Sequence, residues 1–181
     1  MLDFSKNFFE LFGLPETYPV NEELLSDRYH ALQQAVHPDR FAAAGETEKR
    51  LSMQASTHVN EAYETLRDQL RSARYLLSLR TAKTGGENPN IQDTGFLLEQ
   101  MELREALAVA RSGSDPYAAL QAVMDRLDLQ CARLVAQLAE RLNSLDSPGF
   151  DEADELLKKF QFVRKCQAEA EQLEGELDDR L

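Results

Sequence analysis

The 181-residue chain has little punctuation and almost no sulfur chemistry: eight glycines, six prolines and two cysteines. Cys131 and Cys166 stand 35 residues apart with no CxxC. That excludes a disulfide scaffold and a CxxC-type zinc module, and it fits a reducing cytoplasm. No apolar run approaches the roughly 18–20 residues that span a bilayer. The first residues, MLDFSKNFFELFGLPE, mix Asp3 and Glu10 with aromatics, so they read neither as a signal peptide nor as an Arg-rich transit peptide. Basic residues are also scarce, 20 against 32 acidic, for a net charge of −12. Up to Arg80 the balance is −3; beyond it, −9. A phosphate backbone needs a concentrated cationic surface, so nucleic acid is not the expected partner, and neither is a membrane. What the chain does have is 43% hydrophobic residues, too many for a disordered polymer. The expectation is a soluble cytoplasmic protein.

Apolar spacing is helical. Leu25, Tyr29, Leu32 and Val36 advance by four, three and four, and Leu51, Ala55, Val59, Ala62 and Leu66 repeat the pattern. From Tyr117 to Leu142 a stripe runs for about seven turns, opened by an N-cap residue and a first-turn proline, Asp115-Pro116. Pro148-Gly149 is expected to separate it from a last helix bearing Leu156, Phe160, Val163, Cys166, Ala170, Leu173 and Leu177. Gly13, Pro15 and Pro19 end a short aromatic first helix; Pro38 and Gly45 bracket a loop; Ser72–Leu79 reads as a short fourth helix. Nowhere do strand-forming residues alternate with polar ones. The fold class is all-α. TAKTGGENPN, residues 81–90, is the one clear linker. The division expected is therefore residues 1–80, a linker over 81–92, and a helical domain over 93–181.

Little here points to catalysis. His30 and His58 lie in helical segments with no second ligand at i+4, and both cysteines fall on core stripes. There is no phosphate loop and no GxSxG. The reading is a protein that is not an enzyme and holds no cofactor or metal.

His37-Pro38-Asp39 stands apart. Pro38 disfavours helical geometry for the residue before it, so the tripeptide sits in a loop between two antiparallel helices, presenting a switchable cation and a fixed anion. On three residues alone, Pro38 ending a helix and Asp39 capping the next turn is the better explanation, because so short a match often arises by accident. The surrounding sequence supplies more: FELFGLP at 9–15, HPDRF at 37–41, EAYETLR at 61–67, ARYLLSL at 73–79 and DTGFLLEQMELREAL at 93–107, in that order. This succession resembles the J-domain co-chaperones, and within them the iron–sulfur cluster co-chaperone family HscB, over nearly the full length. The resemblance implies an N-terminal J-domain hairpin with short flanking helices and a C-terminal three-helix bundle. It implies that His37, Pro38, Asp39 and Arg40, with Arg28 on the preceding helix, contact an HscA-type (DnaK-like) ATPase and stimulate its hydrolysis. Two departures stand out: Arg40 replaces the commoner lysine, and the helix carrying Arg28 also carries Glu22, Glu23 and Asp27.

A helical wheel adds a second candidate. At about 100° per residue, Phe96, Leu103, Leu107 and Ala110 share an arc of roughly 60°, the expected core face. Leu97, Leu98 and Met101 lie on the other side, flanked by Glu102 and Glu105. Leucine and methionine rimmed by acids suit an adaptable partner surface, although another helix covering them fits the wheel equally well. The resemblance implies that these residues, with Phe162, bind an IscU-type iron–sulfur scaffold; plain core is the lesser reading of Phe162, at the margin of its stripe. A monomer is favoured.

Overall fold

The computed structural model describes residues 3–37, 45–81, 91, 93–111, 113, 115–144 and 147–179. Among these there are seven α-helices and no strand. They belong to two compact units, Met1–Ala82 and Lys83–Leu181.

In the first unit α1 (Phe8–Phe12) is a single aromatic turn closed at both ends. Asn7 and Glu10 form a reciprocal capping box, each side chain accepting the other's backbone N–H (2.9 and 3.0 Å). Gly13 ends the helix at φ 63°, the left-handed geometry that costs glycine least. α2 (Glu22–Val36) and α3 (Glu46–Arg67) form the central hairpin, with α1 against both and α4 (Gln69–Arg80) against α3. The α3 core row is Ser52, Ala55, Val59, Ala62 and Leu66 rather than one beginning at Leu51. Ser52 is tolerated inside because its hydroxyl donates to the Val36 carbonyl at 2.7 Å, satisfying the orphan end of α2. α4 starts three residues earlier than the expected Ser72. Asp68 ends α3 and caps α4, its carboxylate accepting the Arg71 N–H at 2.8 Å, so the two helices share one junction residue. Tyr75 of α4 stacks on Phe8 (4.5 Å) and its hydroxyl accepts the Phe8 N–H (3.0 Å), which fixes the opening segment to the hairpin.

The second unit is a three-helix bundle of α5 (Thr94–Ala110), α6 (Pro116–Asn143) and α7 (Ser147–Asp178). α7 packs along α6, and the shorter α5 lies against both. Asp115 caps α6 through the Ala118 N–H (3.1 Å) with Pro116 behind it, as the sequence predicts. The start of α7 is a correction: Pro148-Gly149 lies within the helix, not before it. The first turn of a helix has N–H groups without partners in any case, so a proline there costs no hydrogen bond. The core also holds a polar layer. Gln100 and Gln130 are buried and joined by an amide–amide hydrogen bond of 3.0 Å, and the Cys166 thiol donates weakly to the Gln100 carbonyl oxygen at 3.6 Å.

Candidate functional site

The hairpin tip is defined by its two edges. α2 stops at His37, whose φ −59° and ψ 130° are the extended geometry that a following proline imposes. The Ser52 hydroxyl holds the carbonyl one residue earlier. On the far side Gly45 precedes α3, its N–H donating to the Glu48 carboxylate at 3.3 Å. Both ends of the loop are thus held by α3. His37 is exposed, and so is Arg28 further back on α2. Pro38, Asp39 and Arg40 lie outside the described residues. The remaining histidines are apart from this tip: His30 is an exposed neighbour of Tyr29, and His58 packs between the rings of Phe4 and Phe8 at 5.4 and 5.6 Å.

The second candidate is one face of α5. Asp93 sets its N-terminus, accepting the Phe96 N–H at 3.0 Å while its other oxygen takes the Lys159 ammonium of α7 at 2.6 Å. The lysine hydrogen bond, and then the backbone one, hold the Asp93 carboxyl below its ordinary range. From this fixed start Leu103, Leu107 and Ala110 turn into the core, whereas Leu97, Leu98 and Met101 are 37%, 57% and 67% exposed. Glu102 and Glu105 flank them in water, and Glu102 reaches Arg126 of α6 at 3.7 Å.

Two aromatics depart from the simplest expectation. Phe96 is half-buried rather than core, because it stands at the open end of the α5–α7 seam. Phe162 is also half-buried, edge-on to Phe96 (6.1 Å, 76°), with the Arg104 guanidinium 4.8 Å above its ring. Phe162 is therefore a seam residue with an open edge, brought within one ring contact of α5. The wheel reading ends the exposed face at Glu105, yet Val109 is 61% exposed. It lies about 220° round from Phe96 at 100° per residue, inside the sector of Leu98 and Glu102, so the same wheel locates it.

Burial pushes the Cys131 thiol up to about 11, and the Cys166 thiol is raised by the same cause. Cys131 donates to Gln167 at 3.2 Å; neither sulfur is a thiolate at neutral pH. Among the described residues there is no group of three or more His, Cys, Asp or Glu side chains that could hold an ion, and no helix long and apolar enough to cross a membrane.

Residues 92–171 match a family described as the HSCB C-terminal oligomerisation domain. The chain is 38% identical over 171 residues to the co-chaperone protein HscB homolog of Shewanella loihica, covering 94% of this chain and 99% of that one. Its counterpart in Vibrio cholerae is 40% identical, over 94% and 98%. Among solved structures, the chaperone HscB from Vibrio cholerae superposes with a TM-score of 0.82 at 39% identity, covering 95% of this chain and 99% of that one. Human co-chaperone HscB superposes at 0.76 and 29%, covering 93% and 82%.

Proposed function

The chain belongs to the HscB co-chaperone family, and on that premise we propose that it works through two separate surfaces, one on each unit. The first unit presents His37-Pro38-Asp39 and Arg40, with Arg28 alongside, to an HscA-type ATPase and stimulates ATP hydrolysis. The second holds an IscU-type scaffold on Leu97, Leu98 and Met101, with Glu102, Glu105 and the open edge of Phe162 at the rim. Hydrolysis then traps the scaffold on the chaperone. His37 and Asp39 act by polar contacts that favour the hydrolysis-competent state of the ATPase, so no residue of this chain serves as acid or base.

The observation that carries the reading is the exposed apolar face at the capped end of α5. A helix of a three-helix bundle needs one buried stripe, and three large apolar side chains in water beside it need a partner to explain them. The description of the matched family also names oligomerisation. The exposed alanine-and-leucine side of α6 favours a weak self-association of the second unit at high concentration, with a monomer when dilute. The primary test is steady-state ATP hydrolysis by purified HscA-type chaperone, with and without scaffold. Stimulation by the chain, raised further by scaffold, is the expected result. A flat rate under both conditions overturns the reading.

A further inference from the structure

α6 is amphipathic in an unusual way. Leu120, Leu127, Leu134 and Leu138 turn into the bundle, while on the opposite side Leu129 is 54% exposed among exposed Ala118, Ala122, Ala132 and Ala136. Small side chains around one leucine let a second helix approach closely, since interaxial distance is set by the residues at the crossing. A lone exposed leucine needs no explanation; the charges beside this one supply the argument. The i±4 row through it reads Gln121, Asp125, Leu129, Arg133, Gln137, all exposed. Rotated by two-fold symmetry about Leu129, this row complements itself: Gln meets Gln, Asp125 meets Arg133, and Leu129 meets its own copy. Isologous contacts require this reciprocity, and rows of this kind laid on one another cross at about 50°.

The other charges near the row are already engaged within the unit. Arg126 pairs with Glu102, and Asp128 accepts the Gln167 amide at 2.8 Å. Among the described residues Asp125 accepts only the Gln121 amide of its own helix, at 2.9 Å, and Arg133 makes no ion pair. A parallel pair of helices in register would set Asp125 against its own copy, like charge on like charge, whereas the antiparallel crossing sets it beside Arg133.

We propose that α6 carries a docking face for a second copy of this chain: an antiparallel two-fold contact centred on Leu129, in which Asp125 of each copy pairs with Arg133 of the other. The proposal rests on the self-association part of the reading above and names its surface and symmetry. A single helix crossing is small beside standard interfaces, so the dimer forms only at high concentration.

Sedimentation equilibrium of the full chain, from about 10 µM to about 1 mM, brackets the affinity of such a contact. The mass should rise from 20.5 kDa toward twice that value. Leu129→Glu and, independently, Ala122→Arg should hold it at the monomer value; both sites are exposed, so both variants should melt like the parent. Arg133→Asp should weaken association about tenfold or more, and the exchange Asp125→Arg with Arg133→Asp should restore it, as reciprocal pairs require. A parent that stays monomeric throughout overturns both the self-association reading and this face. A dimer that survives Leu129→Glu and Ala122→Arg overturns the face alone. Failure of the double exchange to restore association overturns the antiparallel pairing.

Discussion

Leu98 and Leu103 lie five positions apart on α5 and face opposite environments: one is mostly in water, the other wholly inside. Alanine at Leu103 removes packed methyl groups and leaves a cavity, with an expected loss of roughly 2–5 kcal/mol. Alanine at Leu97, Leu98 and Met101 together removes area that the free protein leaves solvated, so urea midpoints should stay close to the parent. Scaffold affinity measured by calorimetry should fall sharply, because a few apolar anchors carry most of an interface, about 2 kcal/mol or more each. A triple variant that melts early while Leu103→Ala does not would mean that the two faces are reversed. Cys131 makes the other residue-scale prediction. Its thiol is raised by burial to about 11, from 9.0. Above the unfolded pKa the unfolded chain loses this proton first, so stability attributable to the site is complete below about pH 9 and declines as pH rises through 11. Replacing Cys131 with Ala should flatten that alkaline slope in urea titrations. Alkylation of the native chain at neutral pH should be far slower than in denaturant.

At the scale of elements, the bundle is held together by an apolar core interrupted by one polar layer joining α5 to α6. Gln100 donates to Gln130 and accepts weakly from Cys166, and the Gln130 amide nitrogen is left without a partner. Gln100→Leu alone strands the Gln130 side chain and should cost about 1–3 kcal/mol, whereas Gln100→Leu with Gln130→Leu removes both demands and should come out near neutral. A double-mutant cycle in urea measures that non-additivity; additive losses would show that the layer is not a unit. The layer also marks the limit of what periodicity reveals. The wheel that separates the two faces of α5 places Gln100 about 40° from Phe96, just beyond the edge of the core arc and nearer to it than to the exposed face. Glutamine is seldom buried, so residue type argues against what position implies, and only the partner across the helix interface resolves it. The same holds at Ser52, which displaces Leu51 from the core row because it finds the Val36 carbonyl. Helix number, the Gly13 and Asp115 boundaries and the position of the second apolar face of α5 were legible from spacing and caps, whereas its exposure was not, since a covering helix fits the same wheel. The early start of α4 and of α7 was not, since each depends on one junction: a shared cap at Asp68, and a proline whose missing donor the first turn forgives.

At the scale of the whole molecule the chain forms two units, Met1–Ala82 and Lys83–Leu181, each with its own buried residues, and the proposed function divides the labour between them. If the ATPase contact belongs to the first unit alone, a fragment of residues 1–81 should fold, show the helical circular dichroism of its hairpin, and retain part of the stimulation. It should lose the further increase that scaffold produces, because the α5 face is absent. Asp39→Asn in the full chain is the complementary change. The carboxylate becomes a neutral amide of the same shape, and the expected shift in stability is no more than about 0.5 kcal/mol, while single-turnover hydrolysis by the chaperone loses its stimulation. Scaffold binding by this variant should match the parent, since it uses the other unit. The two variants therefore fail in opposite ways, one stimulating without responding to scaffold, the other binding scaffold without stimulating. Mixing them in trans should not restore the scaffold-dependent increase. On the proposed function, delivery needs both surfaces on one chain, where the effective concentration of the second contact is set by covalent linkage rather than by diffusion. Full recovery in the mixture would show that the surfaces act independently, and that linkage contributes nothing to the transfer.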